Sequence, residues 1–163
     1  VGWQLNGRIA IAKEDEHWTA HVYWHQRDAD YQIRFNAPLG QGVMLLQGNE
    51  GGVMMRTADN QTLVASNPDA LVVKAIKLEI PVSGLYFWIR GLPGPTALNY
   101  QLNEAGYLYH LQQDGWDIEY GNYVNAGEVA LPAKIYLENK RVKVKIVISQ
   151  WDVKNPTSLS PLL

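Results

Sequence analysis

The sequence predicts a mainly β protein: an open, incomplete antiparallel β-barrel of about eleven strands with a helical lid. Three features lead there. Apolar residues alternate with polar ones through the first third of the chain, as they do in strands with one buried face. Turn signals such as Gly48-Asn49-Glu50-Gly51-Gly52 and Asp114-Gly115 cut the apolar runs into short lengths. Between Pro68 and Gly91 the pattern changes to helical period before strands return. A chain of 163 residues, 47% hydrophobic and 18% charged, suits one folded domain with a substantial core or cavity. That domain is expected over 1–154, with 155–163 as a mobile tail.

Leu5, Gly7, Ile9 and Ile11 alternate with Asn6, Arg8 and Ala10 in the first strand. From His17 to His25, Trp18, Ala20, Val22 and Trp24 share one face against Thr19, His21 and Tyr23, and Tyr31, Ile33 and Phe35 continue the pattern. Glu14-Asp15-Glu16 between the first two strands reads as a solvated turn. Runs at 43–47, 53–57 and 61–65 complete an antiparallel meander. Ser66-Asn67-Pro68-Asp69 then supplies a capping residue, a tolerated early proline and a first-turn carboxylate. Leu71, Ala75 and Leu78 recur at helical spacing beside Lys74 and Lys77, which predicts a helix to about Leu78. Pro81 ends it and opens a second short helix, whose stripe of Leu85, Trp88 and Ile89 stops at Gly91-Leu92-Pro93-Gly94. Strands resume near Tyr100 and over 107–112, 116–120, 133–137 and 142–151.

Several function classes are disfavoured. A net charge of -2, a pI near 6.1 and no long Lys/Arg run argue against nucleic acid as a partner. Without cysteine there is no disulfide or thiol chemistry, although this says little about compartment. No apolar run is long enough to span a bilayer. His17, His21 and His25 are spaced four apart, but in a strand the outer two lie ~26 Å apart at about 3.3 Å per residue. One metal cannot bind all three, so they read as an exposed strand face. Asp114 is a hairpin residue before it is an acid. No phosphate-cradling glycine loop, GxSxG elbow or HExxH is present, so neither an enzyme nor a cofactor is expected.

The positive signal is apolar. Six Trp and nine Tyr fall mostly in predicted strands, and Val43-Met44-Leu45-Leu46 and Val53-Met54-Met55 are apolar on both faces. Methionine's flexible thioether suits irregular apolar ligands. A sheet this wide is not easily filled by its own side chains and tends to enclose a cavity. Its expected lining is Val22, Trp24, Ile33, Phe35, Met44 and Leu46, with lid residues Leu71, Ala75, Leu85 and Trp88. Val43 and Leu45 fall on the outer face of their strand, where the cavity gives them no role. Pro38 and Gly40 mark a turn that carries Leu39 where Asn, Asp or Ser is the usual choice.

The ordered segments Asn6-Gly-Arg-Ile-Ala-Ile11, Val22-Tyr-Trp24, Asn36-Ala-Pro-Leu-Gly40, Trp88-Ile-Arg-Gly-Leu-Pro-Gly94, Trp116-Asp-Ile-Glu-Tyr-Gly-Asn-Tyr123 and Leu131-Pro-Ala-Lys134 resemble the LolB family of outer-membrane lipoprotein receptors. The resemblance runs from about Leu5 to Trp151, and its order and spacing make it specific.

It implies a LolA/LolB-like open barrel with a helical lid and a noncatalytic role in Gram-negative bacteria. Such a receptor is a monomer that accepts acylated lipoproteins from the periplasmic carrier LolA and passes them to outer-membrane lipid. It acts at the periplasmic face of the outer membrane, lipid-anchored in its native form. The chain begins at Val1 without Met and has no cysteine, so it reads as a processed or truncated form, and any signal peptide or lipidated cysteine would lie upstream. The resemblance also implies an apolar residue protruding from the loop after the third strand, and Leu39, between Pro38 and Gly40, stands there. A soluble LolA-like lipid carrier and a lipid hydrolase are the rival readings.

Overall fold

A computed structural model describes residues 2–36, 43–77 and 79–154 of the protein. Its strands are β1 (Gly2–Lys13), β2 (Glu16–Arg27), β3 (Asp30–Asn36), β4 (Val43–Asn49), β5 (Gly52–Arg56), β6 (Thr62–Ala65), β7 (Ala97–Leu102), β8 (Leu108–Gln113), β9 (Trp116–Tyr120), β10 (Tyr123–Ala126), β11 (Val129–Pro132), β12 (Lys134–Glu138) and β13 (Val142–Lys154). The helices are α1 (Pro68–Ile76) and α2 (Val82–Trp88). Eleven strands form one sheet in the order β6-β5-β4-β3-β2-β1-β13-β12-β9-β8-β7, and β10 pairs with β11 in a separate hairpin. The eleven sheet strands are those the alternation predicts. The small hairpin is not, and its strands have four residues each.

The described residues divide between two compact units. The first lies within Val1–Gly7, Ala20–Ser83 and Gln150–Leu163, and the second within Arg8–Thr19 and Gly84–Ser149.

In the first unit the register follows the apolar pattern. Val22 pairs with Phe35 and Phe35 with Met44; Trp24 pairs with Ile33, Ile33 with Leu46 and Leu46 with Met55. These two rows share one face, because side chains two residues apart on a strand point the same way. α1 lies against β5 and β6. Asn67 caps it by accepting from the Ala70 N–H at 3.0 Å, Pro68 occupies the first turn where no N–H is needed, and Lys77 in the left-handed region at φ 60 closes it. The helix thus ends at Ile76, two residues short of the Leu78 that spacing predicts, and Leu78 lies outside the described residues.

In the second unit, Trp116, Ile118 and Tyr120 of β9, Ile135 and Leu137 of β12, and Val142, Val144, Ile146 and Ile148 of β13 are all buried. The alternate residues face water. Asp114 and Gly115 both have positive φ, 54 and 84, in the two-residue turn between β8 and β9 that their sequence signals. Of the predicted histidine face, His17 belongs to this unit and His21 and His25 to the first; His17 and His21 are exposed and His25 is half-buried.

Candidate functional site

The apolar face of the first unit is built from β2–β5 and α1. Of the predicted lining residues, Val22, Trp24, Ile33, Leu46 and Leu71 are buried, with Leu46 and Leu71 fully so. Phe35, Met44 and Ala75 are half-buried. The six strand residues are direct cross-strand neighbours, as strand parity predicts. Leu85 and Trp88 are buried as well, but they belong to the second unit.

Three residues that the sequence reading left out extend this face: Met55, buried beside Leu46, and the rings of Trp3 and Trp151. The centroid of the Trp3 ring lies 5.4 Å from that of Trp24, the planes tilted by 44°, and 5.6 Å from that of Trp151 in an edge-on contact. The alternation Leu5-Gly7-Ile9-Ile11 extends backwards to Trp3, so that signal was present in the sequence.

Polar groups on this face are few and satisfied. The Trp24 indole N–H donates to Gln26 Oε1 at 2.9 Å, and buried Gln26 donates to the Asp28 carbonyl at 2.7 Å. Tyr31 lies so close under β4 that a Cβ on Gly48 would sit 2.4 Å from its hydroxyl, which accounts for glycine there. Burial, and secondarily the Asp69 carboxylate, push the Tyr31 phenol up to about 12. Asp69 also accepts from the Ser83 N–H at 3.0 Å and the Ser83 hydroxyl at 2.6 Å, joining the first turns of the two helices.

In the second unit a buried glutamine again holds a tryptophan. Gln113 Oε1 accepts from the Trp88 indole at 3.0 Å and from the Gly94 N–H at 2.9 Å, while Gln113 Nε2 donates to Thr96 Oγ1 at 3.0 Å. A Cβ at position 94 would meet Gln113 Nε2 at 2.4 Å. The Tyr120 hydroxyl donates to the Trp88 carbonyl at 2.6 Å, and burial raises the Tyr120 phenol well above its ordinary range. These contacts fix the Trp88–Gly94 segment that the sequence marks as a helix stop.

A groove of about 430 Å³ lies elsewhere in the second unit, bordered by Asp117, Glu119, Tyr136, Glu138, Lys143 and Lys145 from the solvent side of β9, β12 and β13. Ala10, Ala12 and Trp18 of β1 and β2 line it as well. Among the described residues no cluster of His, Asp and Glu has the geometry of a metal site, and no helix is long and apolar enough to cross a membrane. The Leu39 turn, with Pro38 and Gly40, lies outside the described residues, as does 155–163.

The inner face of β2–β5 is thus nearly continuous and apolar, with few polar side chains. Residues 2–151 match the family described as outer membrane lipoprotein LolB. The chain belongs to the LolB family. It is 37% identical over 151 residues to the outer-membrane lipoprotein LolB of Ectopseudomonas mendocina, covering 92% of this chain and 74% of that one. It is 36% identical over 153 residues to LolB of Nitrosococcus oceani, covering 93% and 76%. Among solved structures, a LolA superfamily protein from Nitrosomonas europaea superimposes with a TM-score of 0.65 at 10% identity, covering 94% of this chain and 86% of that one. A putative outer membrane lipoprotein-sorting protein domain from Vibrio parahaemolyticus gives 0.62 at 9% identity, covering 98% and 87%. These structures establish the fold alone. LolB membership assigns an outer-membrane location and a non-enzymatic role in lipoprotein localisation.

Proposed function

We propose that the chain is a lipoprotein receptor that takes acylated lipoproteins from a LolA-type periplasmic carrier and delivers their acyl chains to the outer membrane, itself held there by a lipid anchor. The observation that carries this reading is the pair of apolar rows on β2–β5, from Val22 and Trp24 to Met44 and Met55. Each acyl CH2 removed from water is worth about 0.8 kcal/mol, so a multiply acylated protein cannot cross an aqueous space unaided. The receptor must also let go. Dispersion contacts with Met44, Met55, Phe35 and the tryptophans hold a chain without fixing it, because each contact is weak and no hydrogen bond to the cargo is needed. Val22, Trp24, Ile33, Phe35, Met44, Leu46, Leu71 and Ala75 are assigned to the acyl site; Leu85 and Trp88, expected as its lid residues, belong to the second unit.

Leu39, flanked by Pro38 and Gly40, is assigned to membrane insertion. Burying one leucine in lipid contributes ~1.5 to 3 kcal/mol, enough for a transient contact and too little for anchoring. Mixing acyl-loaded carrier with this protein should move cargo to it without ATP. Equal partition, or a requirement for ATP, contradicts the reading. Leu39→Glu should then accept cargo normally and fail to deliver it to liposomes, while Leu39→Phe should deliver.

A further inference from the structure

We propose that the solvent-side face of β2–β6 in the first unit is a contact surface for anionic phospholipid headgroups. The inference rests on the functional reading above, in that the chain works at a bilayer, and assigns a face which that reading leaves without a role.

Opposite the apolar rows, the register sets Tyr23 beside Arg34, Arg34 beside Leu45 and Leu45 beside Arg56. A second row runs from His25 through Gln32 and Gln47 to Met54 and Val64, and Asn36 stands between His21 and Val43. These are outward positions, where a sheet with one buried face normally carries polar residues. Yet Val64 is 69% exposed, Val43 48% and Tyr23 45%. Water gives no reason to place them there, and the inner face already has its own apolar rows.

The charges point to the occupant. The chain has more acidic than basic residues, 16 Asp and Glu against 14 Lys and Arg, but this face carries three arginines, Arg27, Arg34 and Arg56, against one carboxylate, Asp30, which stands opposite Arg27. Arg34 and Arg56 are exposed, and neither is ion-paired among the described residues. A guanidinium matches two oxygens of one phosphate, whereas exposed Val and Tyr side chains suit the boundary between headgroups and acyl chains. Guanidinium and aliphatic groups alternating on one face fit a phosphate-bearing surface with hydrocarbon just beneath it. The face also leads to the assigned insertion segment, since Asn36 and Val43 are the pair from which residues 37–42 depart.

The test is flotation of the chain, with Leu39 intact, on phosphatidylcholine vesicles with and without phosphatidylglycerol. The parent should bind the anionic vesicles, and salt should weaken the binding. Arg34→Ser with Arg56→Ser should lower that binding about tenfold and flatten its salt dependence. Val43→Ser with Val64→Ser should lower it several-fold. Both double variants should keep the parent's melting temperature and receive cargo from the carrier at its rate.

Parent-like vesicle binding by both variants overturns the proposal. So does unchanged vesicle binding with lost receipt of cargo, which would make the face a dock for an acidic carrier surface. A vesicle-free dimer that Val43→Ser with Val64→Ser dissolves also overturns it, in favour of a second copy. If the parent takes no cargo but its vesicle binding still depends on these four residues, the receptor reading fails and the headgroup surface stands.

Discussion

Strands β2–β6 of the first unit and β9, β12 and β13 of the second bury the same kind of face and show water different ones. Inside, Ile33, Leu46 and Met55 of the first unit correspond in kind to Ile118, Ile135 and Ile146 of the second, all at or below 3% exposure. Outside, β9, β12 and β13 of the second unit carry charge: Asp117, Glu119, Glu138, Lys143 and Lys145 interleave with buried residues, and Glu138 stands opposite Lys143, whereas β7 and β8 of the same unit expose Leu98, Tyr100, Leu102 and Tyr109. The first unit replaces that charged surface with Tyr23, Leu45, Met54 and Val64 around Arg34 and Arg56. Burying one face of a sheet accounts for both interiors. It accounts for the charged exterior of β9, β12 and β13 and not for the apolar residues on the exterior of β2–β6.

The largest expected effect would break the likeness of the interiors. Leu46→Asp and Ile118→Asp each bury a carboxylate without a partner, at a cost of several kcal/mol against a total stability of about 5–15 kcal/mol. Both variants should lose their cooperative thermal transition; a variant that melts like the parent would show that its face is wet.

The buried glutamines sharpen the comparison. Gln113→Leu orphans two donors, the Trp88 indole and the Gly94 N–H, whereas Gln26→Leu orphans one, the Trp24 indole; each variant also removes one donated bond, to Thr96 Oγ1 and to the Asp28 carbonyl. At about 1–3 kcal/mol per orphaned donor, the second unit's variant should be the less stable in urea titrations. The reverse order would show that Gln26 fixes more than one indole.

Alkaline stability gives a smaller difference. Tyr31 in the first unit, and Tyr120 and Tyr123 in the second, all have raised phenol pKa values, with burial as the largest cause. Between the unfolded value near 10 and the folded value the native state holds the extra proton, so stability is full below pH 10 and falls as pH rises above it. Tyr31→Phe should remove the part of that fall lying between pH 10 and about 12, read from melting temperatures across that range.

The smallest effect belongs to the charged exterior. Glu138→Gln should change stability by less than about 0.5 kcal/mol, since exposed cross-strand charge pairs contribute little. A larger loss would mean that the second unit's exterior is also structural.

Most of the fold could be read from residue patterns because most sheet strands carry their own alternation, β4 and β5 being apolar on both faces, and the turns carry their own residues. Asp114-Gly115 needed no tertiary information, and neither did the Asn67-Pro68 helix start. The β10–β11 hairpin was not legible: only Leu131 and Pro132 in it are buried, so it shows no period. Its one local marker is Gly127 with φ 69 at the turn. Inner-face residues of the candidate site were legible from parity, whereas Met55 and Trp3 became site residues only once the register and the ring contacts were known. The division of the chain is carried by β1, β2 and β13, each of which passes from one unit to the other, and no local pattern marks those crossings.

The three methionines allow the most direct test of where cargo is held. All lie in the first unit, Met44 and Met55 on the inner rows and Met54 on the outer face. Photo-methionine incorporated at these positions, with the other two methionines replaced by leucine in turn, reports contact with the acyl chains of a lipoprotein handed over by the carrier. The account predicts light-induced crosslinks to the acyl chains from positions 44 and 55 and none from 54 in the absence of membrane. Crosslinks from 54 alone, or cargo transfer with 44 and 55 silent, would contradict it.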